Sequence, residues 1–307
     1  MQMNFSIIIP HRNLPFLLER LLKSIPERED LEIIVVDDHS DKSIVDFNHF
    51  PGKDRKNFLL LYNEGKRGAG YARNYALPYA RGKWVLFADS DDFFNSGFDA
   101  FLNDYVNSDV DIVYFNANSV DTETFEASDR ADHLNSFIDF YYLDKKHGDF
   151  VMRYFATEPW CKMIKREIID ANNVRFDVTS IHEDVKFSCL IGYYAKRIKV
   201  EKGKYYCVTS RATSLSRTKT HQAYLDELKV FAWWNKFLLE HQIPLELPKF
   251  EYRAYNFFRH LYKDNKLFRE EFVILRKVGF SRLFILNLLL KNLYKSFKYK
   301  INNIADS

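Results

Sequence analysis

Short apolar runs alternate with helical patterns through the first third of the chain. Four continuous runs bounded by turn residues predict buried strands: 5–10, 31–36, 58–62 and 84–88. Two stretches with helical periodicity separate them, 14–25 and 70–80, and Gly82 is a stop signal for the second. Unbroken apolar strands joined by helices predict a mostly parallel sheet that is covered on both faces.

Polar residues follow three of these strands at the point where each one ends. They are His11-Arg12-Asn13, Asp37-Asp38-His39-Ser40-Asp41 and Asp89-Ser90-Asp91-Asp92. Because the carboxyl ends of parallel strands meet at one edge of a sheet, we expect these segments to share one crevice. Mg²⁺ and Mn²⁺ prefer carboxylate oxygens and are often shared with substrate phosphates, so the last segment predicts a metal-bridged phosphate ligand. The alternative for it is an acidic, solvated turn.

The C-terminal region carries most of the basic charge. From Lys249 onward there are 13 Lys and Arg against 5 Asp and Glu, although the whole chain has a net charge of only +3. Residues 281–301 place Leu and Phe opposite Lys and Asn at helical spacing, which predicts a basic amphipathic helix. Such a helix either lies on an anionic membrane surface or packs on its own domain.

Composition narrows the class of protein. With 307 residues and 47% hydrophobic content the chain can bury a substantial core. Three widely spaced cysteines do not predict a disulfide framework or a Cys-x-x-Cys metal site, and we expect them to be buried packing residues. With no secretory leader pattern and no spanning apolar stretch, we expect a cytosolic protein. A basic stripe without a recognised reading motif does not predict a nucleic-acid partner.

Six segments together carry a family resemblance. They are Ser6 to Asn13, Val35 to Asp41, Ala72-Arg73-Asn74, Phe87 to Asp92, Trp160 to Glu167 and His182 to Phe187. In order and spacing they resemble the family 2 glycosyltransferases, which have the GT-A fold. The resemblance implies a Rossmann-like, mostly parallel sheet flanked by helices over residues 1–220, with a nucleotide-sugar half (1–115) and an acceptor half (116–220). Residues 221–307 then form a helical C-terminal extension.

The resemblance also implies a reaction, the transfer of a sugar with inversion from a nucleotide-diphosphate donor to a hydroxyl group. Its nucleotide-binding positions fall on Pro10, Arg12 and Asp38 around the base, with Asp89 near the ribose or the ion. Arg73 and Arg217 match positions that contact the diphosphate. Asp91, with Asp89 beside it, matches the ligands of a Mn²⁺ or Mg²⁺ ion that neutralises the leaving diphosphate.

The resemblance places the catalytic base at Asp184 and the acceptor site around Trp160, Lys162 and Glu183. A neighbouring carboxylate in a closed site raises the pKa of a base toward the working pH. The structural alternatives are that Asp184 caps a helix beginning near Val185 and that Trp160 is a core residue.

Two departures from the family pattern concern the base pocket. His11-Arg12-Asn13 replaces smaller or aromatic residues, and His39 stands where relatives usually have Gly. The resemblance of Asp38 to the acid that binds uracil favours UDP as the donor nucleotide, and the two departures leave other nucleotides open. We expect a glycan or lipid-linked acceptor at the inner face of the cell membrane. The alternative is a catalytically degenerate nucleotide-sugar-binding or scaffold protein on the same fold.

Overall fold

The four predicted strands are present in the computed structural model, which describes residues 2–211, 220–243 and 265–287. They are β1 (Phe5–His11), β2 (Leu31–Asp37), β3 (Phe58–Tyr62) and β4 (Trp84–Phe87). The later strands are β5 (Phe93–Phe94), β6 (Ile112–Asp121), β7 (Lys162–Lys165) and β8 (Ile198–Ser210). Every residue of β2 and β4 is buried, including the charged Glu32 and Asp37 of β2, as strands covered on both faces require.

Within the described residues the strands form one sheet in the order β3-β2-β1-β4-β7-β6-β8-β5. The half containing β3, β2, β1 and β4 is parallel throughout. Strand β7 is antiparallel to both β4 and β6, β8 runs parallel to β6, and the short β5 pairs antiparallel with β8 at the edge. The prediction of a mixed, mostly parallel sheet flanked by helices is confirmed.

Seven α-helices flank this sheet within the described residues 2–211. They are α1 (Pro15–Ser24), α2 (Ala69–Ala76), α3 (Phe98–Tyr105), α4 (Asp132–Leu143), α5 (Lys145–Tyr154), α6 (Arg166–Ala171) and α7 (Asp184–Tyr194). Helix α2 is shorter than the predicted 70–80, because Leu77–Tyr79 forms a tighter 3₁₀ turn. Pro78 has no N–H to donate to the preceding turn of an α-helix, which explains the early end.

The three cysteines are buried and unbridged, as the sequence predicts. Cys161, Cys189 and Cys207 contribute small apolar side chains to the packing. Burial also raises the pKa of the Cys189 thiol, so the thiolate is disfavoured there.

The chain divides into two compact units, residues 1–179 with 183–217 and residues 180–182 with 218–307. The second unit contains α8 (His221–Glu240), α9 (Asn265–Val278) and a helical stretch at 282–287. Leu228 and Ala232 of α8 pack with Leu275 and Ile285 in a separate apolar cluster. The predicted domain boundary at residue 220 stays a prediction.

The predicted amphipathic helix 281–301 is described only as far as residue 287. Over that stretch Ile285 is buried, whereas Leu283 and Leu286 are exposed. The remaining residues of this prediction, 288–301, lie outside the described residues. Among the residues that are described, no helix combines the length and apolar character needed to cross a bilayer.

Candidate functional site

The crevice begins where β1 and β2 end side by side. His11 and Asp37 are register partners on these strands, and His11 Nδ1 lies 3.2 Å from Asp37 Oδ1. Asp37 Oδ2 accepts a hydrogen bond from the Ser40 backbone N–H at 3.1 Å. Burial opposes ionisation of Asp37, but the hydrogen bonds from His11 and Ser40 outweigh it and lower the pKa of Asp37. Asp37 therefore stabilises the loop after β2.

Asp38 holds the next loop in place with both of its carboxylate oxygens. Oδ1 accepts from Asn63 Nδ2 at 2.6 Å, and Oδ2 accepts from the Gly68 N–H at 2.8 Å. Pro10 is half-buried at the end of β1, and Arg12 is exposed beyond it. Pro10, Arg12 and Asp38, the residues predicted to frame the base, thus follow neighbouring strands at one edge of the sheet.

His39 adopts a left-handed backbone conformation with φ of +61°. This conformation is uncommon for residues other than Gly, and His is among the side chains that tolerate it better. The chain therefore keeps the backbone geometry of a glycine position while placing an imidazole at the crevice.

The acidic turn after β4 is held by the end of β8. Tyr206 donates its hydroxyl to Asp92 Oδ2 at 2.8 Å and accepts the Asp89 N–H at 2.9 Å. The Thr209 N–H donates to Asp92 Oδ1 at 2.7 Å, and the Thr209 hydroxyl donates to the Asp91 carbonyl at 2.7 Å. Asp92 is therefore committed to shaping the turn. Its burial, together with the charges of Asp91 and Asp89, raises the pKa of Asp92 well above its usual value.

Asp89 and Asp91 are the carboxylates of this turn that remain partly exposed, with side-chain exposures of 33% and 20%. Burial and the nearby charge of Asp89 raise the pKa of Asp91, whereas Arg211 opposes this shift from 2.7 Å away. A divalent cation between the two carboxylates would relieve the same repulsion, and oxygen donors suit Mg²⁺ or Mn²⁺.

Across the described residues, no group of three or more His, Cys, Asp or Glu side chains could hold an ion by itself. Mg²⁺ is commonly bound through one or two carboxylates plus substrate phosphates rather than in an all-protein cage. The pair Asp89 and Asp91 therefore fits a cation shared with a phosphate ligand.

Arg73 connects the acidic turn to the Glu183-Asp184 segment. It is 3% exposed, and its Nη2 donates to Asp89 Oδ1 at 2.7 Å while its Nη1 donates to Glu183 Oε1 at 3.0 Å. Its guanidinium also lies over the Phe176 ring, 5.3 Å from the centroid. Burial opposes its charge, but Asp89, Glu183 and Asp184 outweigh burial and raise the pKa of Arg73. Arg73, which was predicted to contact the diphosphate, thus bonds through both terminal nitrogens to carboxylates of the protein.

Asp184 is the first residue of α7, and Glu183 precedes it as the N-cap without a side-chain capping bond. Helix α7 thus begins one residue before the predicted start near Val185. Desolvation by the surrounding protein and the charge of Glu183 raise the pKa of Asp184 to about 8, although Arg73 opposes the shift. A carboxyl group with such a pKa is suited to accept a proton near neutral pH.

Trp160 and Lys162 lie under the surface of the crevice. Trp160 is 7% exposed and stacks on Tyr206 with 6.0 Å between ring centroids. Lys162 is 2% exposed, its Nζ donates to Ser188 Oγ at 2.9 Å, and burial lowers its pKa to about 8. Both residues are thus placed to support the site from below.

Gly70 is a residue of the site that sequence reasoning did not single out. A Cβ atom there would lie 2.4 Å from the Asp177 carbonyl oxygen and 2.8 Å from Glu183 Cγ. Its position directly before Tyr71-Ala72-Arg73 was a sequence signal for a role in the site. Only the fold shows that Asp177 and Glu183 pack against it. Arg217 lies outside the described residues.

The chain is similar to glycosyltransferases in sequence and in structure. A profile of the family described as glycosyl transferase family 2 matches residues 6–171. The uncharacterized glycosyltransferase YibD of Escherichia coli is 26% identical over 190 residues, which is 61% of this chain and 55% of that protein. The minor teichoic acid biosynthesis protein GgaB of Bacillus subtilis is 28% identical over 245 residues, or 77% of this chain and 25% of that protein. The chain thus spans about half of the first relative and a quarter of the second.

Two solved structures share the fold at low sequence identity. Residues 1–349 of Staphylococcus aureus TarS, in complex with UDP-GlcNAc, give a TM-score of 0.57 at 18% identity, with 90% of both chains covered. The mannosyltransferase PcManGT of Pyrobaculum calidifontis, in complex with GDP-Man and Mn²⁺, gives 0.51 at 16% identity, with 96% of this chain and 81% of that chain covered. The likeness confirms the predicted GT-A fold.

Proposed function

Because this chain belongs to glycosyl transferase family 2, we propose that it transfers a sugar from a nucleotide-diphosphate donor to a hydroxyl group, with inversion at the anomeric carbon. The observation that carries the proposal is the connection of two acid pairs by one buried arginine. Asp89 and Asp91 form the first pair, Glu183 and Asp184 form the second, and Arg73 bonds to one member of each. Arg73 would thus hold the acids proposed for the donor and the acids proposed for the acceptor at a fixed separation.

The donor is proposed to lie along the ends of β1, β2 and β4. Pro10, Arg12 and Asp38 would frame the base, with UDP favoured, and the Asp38 carboxylate keeps its loop fixed through Asn63 and Gly68. Arg217 is proposed as a further diphosphate contact. TarS shares the fold, and its solved structure is a complex with UDP-GlcNAc. This supports a UDP-sugar as the first donor class to test.

Asp89 and Asp91 are proposed to hold Mn²⁺ or Mg²⁺ together with the diphosphate. When bound, the ion would neutralise the charge that grows on the leaving diphosphate. The chain's own contribution is the placement of the two carboxylates, since Tyr206 and Thr209 fix the backbone of the turn.

Asp184 is proposed to accept the proton of the acceptor hydroxyl as that oxygen attacks the anomeric carbon. Its raised pKa makes the carboxylate a better base than an ordinary Asp. Glu183, Trp160 and Lys162 would support the acceptor side, the last two from beneath it. The acceptor is proposed to be a glycan or a lipid-linked glycan at the inner face of the membrane, reached through the basic segment 281–301.

Calorimetric titration of the full chain with UDP, GDP and dTDP, each with and without Mn²⁺, tests the donor site. We expect one nucleotide to bind in a Mn²⁺-dependent manner and Asp91→Ala to weaken that binding at least tenfold, because one of the two exposed carboxylates is lost. Asp170→Ala is the matched control and should bind as the native chain does, since Asp170 is an exposed carboxylate on α6, which follows β7 at the end of β4 opposite Asp91.

Two results would contradict the proposal in different ways. No binding of any nucleotide would remove the donor site altogether. Mn²⁺-dependent binding without sugar transfer to any offered glycan would instead favour the alternative, a degenerate nucleotide-sugar-binding protein on the same fold.

A further inference from the structure

Arg20 of α1 lies next to two aromatic rings, directly beside the acidic turn. Its Nη2 donates to the backbone carbonyl of Asp91, and its Nη1 donates to the carbonyl of Thr122 at 3.4 Å. The guanidinium carbon lies 5.2 Å from the centroid of Phe93 and 5.6 Å from that of Phe125. The two rings are 6.5 Å apart. Both aromatic residues are therefore neighbours of the residue proposed to hold the cation.

Two members of the aromatic cluster, defined here as Phe16, Phe93 and Phe125, are exposed, whereas Phe93 is half-buried. Phe125 is 55% exposed and Phe16 is 83% exposed. Phe16 and Arg20 are four residues apart in α1, so they lie on the same face of that helix. Single exposed hydrophobic residues are normal on protein surfaces, but a group of them beside a reactive site indicates a binding surface.

The turn that carries Phe125 is fixed by its own hydrogen bonds. The Asp121 carboxylate accepts from the N–H groups of Glu123 at 2.9 Å and Thr124 at 3.0 Å. The Phe125 N–H donates to the Asp121 carbonyl at 3.1 Å, and the Asp121 N–H donates to the Glu126 carbonyl at 2.8 Å. The exposed ring is thus presented by a preorganised turn.

Phe125 also has an unfavourable backbone conformation for a bulky residue, with φ of +58°. Gly or Asn would adopt this conformation more easily, yet the chain places an aromatic ring there and leaves it exposed. Strained, exposed side chains of this kind cluster at ligand-binding sites, where the strain is retained for function.

We propose that the aromatic cluster binds the acceptor through a pyranose ring that stacks on Phe125. The face of an aromatic ring carries partial negative charge, which attracts the C–H groups on the apolar face of a sugar. Glu123 and Thr124 precede Phe125 in the same turn, and such polar side chains suit sugar hydroxyls better than an acyl chain. This inference rests on the proposed function, since it assigns the cluster to the acceptor of that same reaction.

The test measures binding of simple pyranosides to the full chain by saturation-transfer difference NMR. The probes are methyl β-D-glucopyranoside and methyl 2-acetamido-2-deoxy-β-D-glucopyranoside, and UDP binding with Mn²⁺ is measured on the same samples. We expect Phe125→Ala to weaken pyranoside binding at least fivefold and Phe125→Trp to restore it, because Trp keeps an aromatic face. UDP binding should be unchanged in both variants.

Tyr79→Ala is the matched control, since Tyr79 is also an exposed aromatic residue but precedes β4, at the end of that strand opposite Asp91. Equal pyranoside binding in the native chain and Phe125→Ala, with UDP binding intact, would overturn this inference alone. Preferential binding of an octyl chain or of glycerol phosphate at the cluster would overturn it too. If the native chain does not bind UDP with Mn²⁺, the proposed function on which this inference rests would instead be contradicted.

Discussion

Arg73 shows at the scale of one residue how the site is organised. Its two terminal nitrogens bond to carboxylates that are 94 residues apart in sequence, those of Asp89 and Glu183. A buried arginine without a carboxylate partner would be unfavourable, because an uncompensated buried charge is costly. The pair of carboxylates therefore stabilises the arginine, and the arginine fixes the distance between the two halves of the crevice.

Asp184→Asn tests the proposed base at the same scale. The amide keeps the size of the side chain but cannot accept the proton, so we expect kcat to fall by about 10²–10⁴-fold. Donor binding should stay within about twofold, because the prediction assigns Asp184 to the acceptor side. Release of nucleotide diphosphate measures the rate and calorimetry measures donor binding. A variant that retains native kcat would exclude Asp184 as the base.

The pH dependence of the reaction follows from the raised pKa of Asp184. A carboxyl group acts as a base only when it is deprotonated, and a pKa of about 8 leaves it mostly protonated at lower pH. We therefore expect kcat/KM to rise with pH from about 6 and to level off above about 8. The residual activity of Asp184→Asn should lack this rise. An activity that is flat or falling with pH over this range would contradict the prediction.

At the scale of elements, α7 is positioned by close contact with α5. A Cβ atom on Gly192 would lie 2.0 Å from the Arg153 carbonyl oxygen and 2.8 Å from Arg153 Cα. Arg153 in turn donates from Nη1 to the Gly192 carbonyl at 2.9 Å. Only a residue without a side chain permits this approach, and α7 begins with the proposed base.

Gly192→Ala should therefore destabilise the protein by about 1–3 kcal/mol, the usual range for inserting atoms into a packed interior. Urea unfolding followed by circular dichroism measures the change. We expect kcat to fall as well, because a displaced α7 moves Asp184. An unchanged unfolding midpoint would show that the two helices separate without loss of stability.

The elements also show which parts of the site could be predicted. The acidic turn after β4 and the loops after β1 and β2 were found because an apolar run followed by turn residues is a local signal. The support from β8 could not be found in this way, since Tyr206 and Asp89 are 117 residues apart in sequence. Likewise, α2 ends early because of Pro78, although the apolar periodicity continues past it and predicts a longer helix.

At the scale of the whole molecule, Asp184 links stability to pH. Its pKa is 3.8 when unperturbed and about 8 in the folded protein, so between these values the folded state binds a proton that the unfolded state has released. Stability therefore falls as pH rises through this window. We expect the thermal midpoint of the native chain to decrease between pH 6 and 8 more steeply than that of Asp184→Asn.

Scanning calorimetry of both proteins measures this difference. All other titratable groups are common to the two proteins, so their contributions cancel in the comparison. Identical slopes for the native chain and the variant would mean that Asp184 titrates normally and would also weaken its assignment as the base.

The sequence by itself determined the four strands and two helices of the first third of the chain, the acids at the strand ends, and the family. These properties depend on apolar periodicity and on turn residues, which act over a few neighbouring positions. Only the tertiary structure decided which partners each carboxylate has and how far it stays exposed. Asp38 and Asp92 receive their hydrogen bonds from residues distant in sequence, whereas Asp89 and Asp91 stay partly exposed. A carboxylate's role depends on the donors that surround it, and those donors are brought there by the fold.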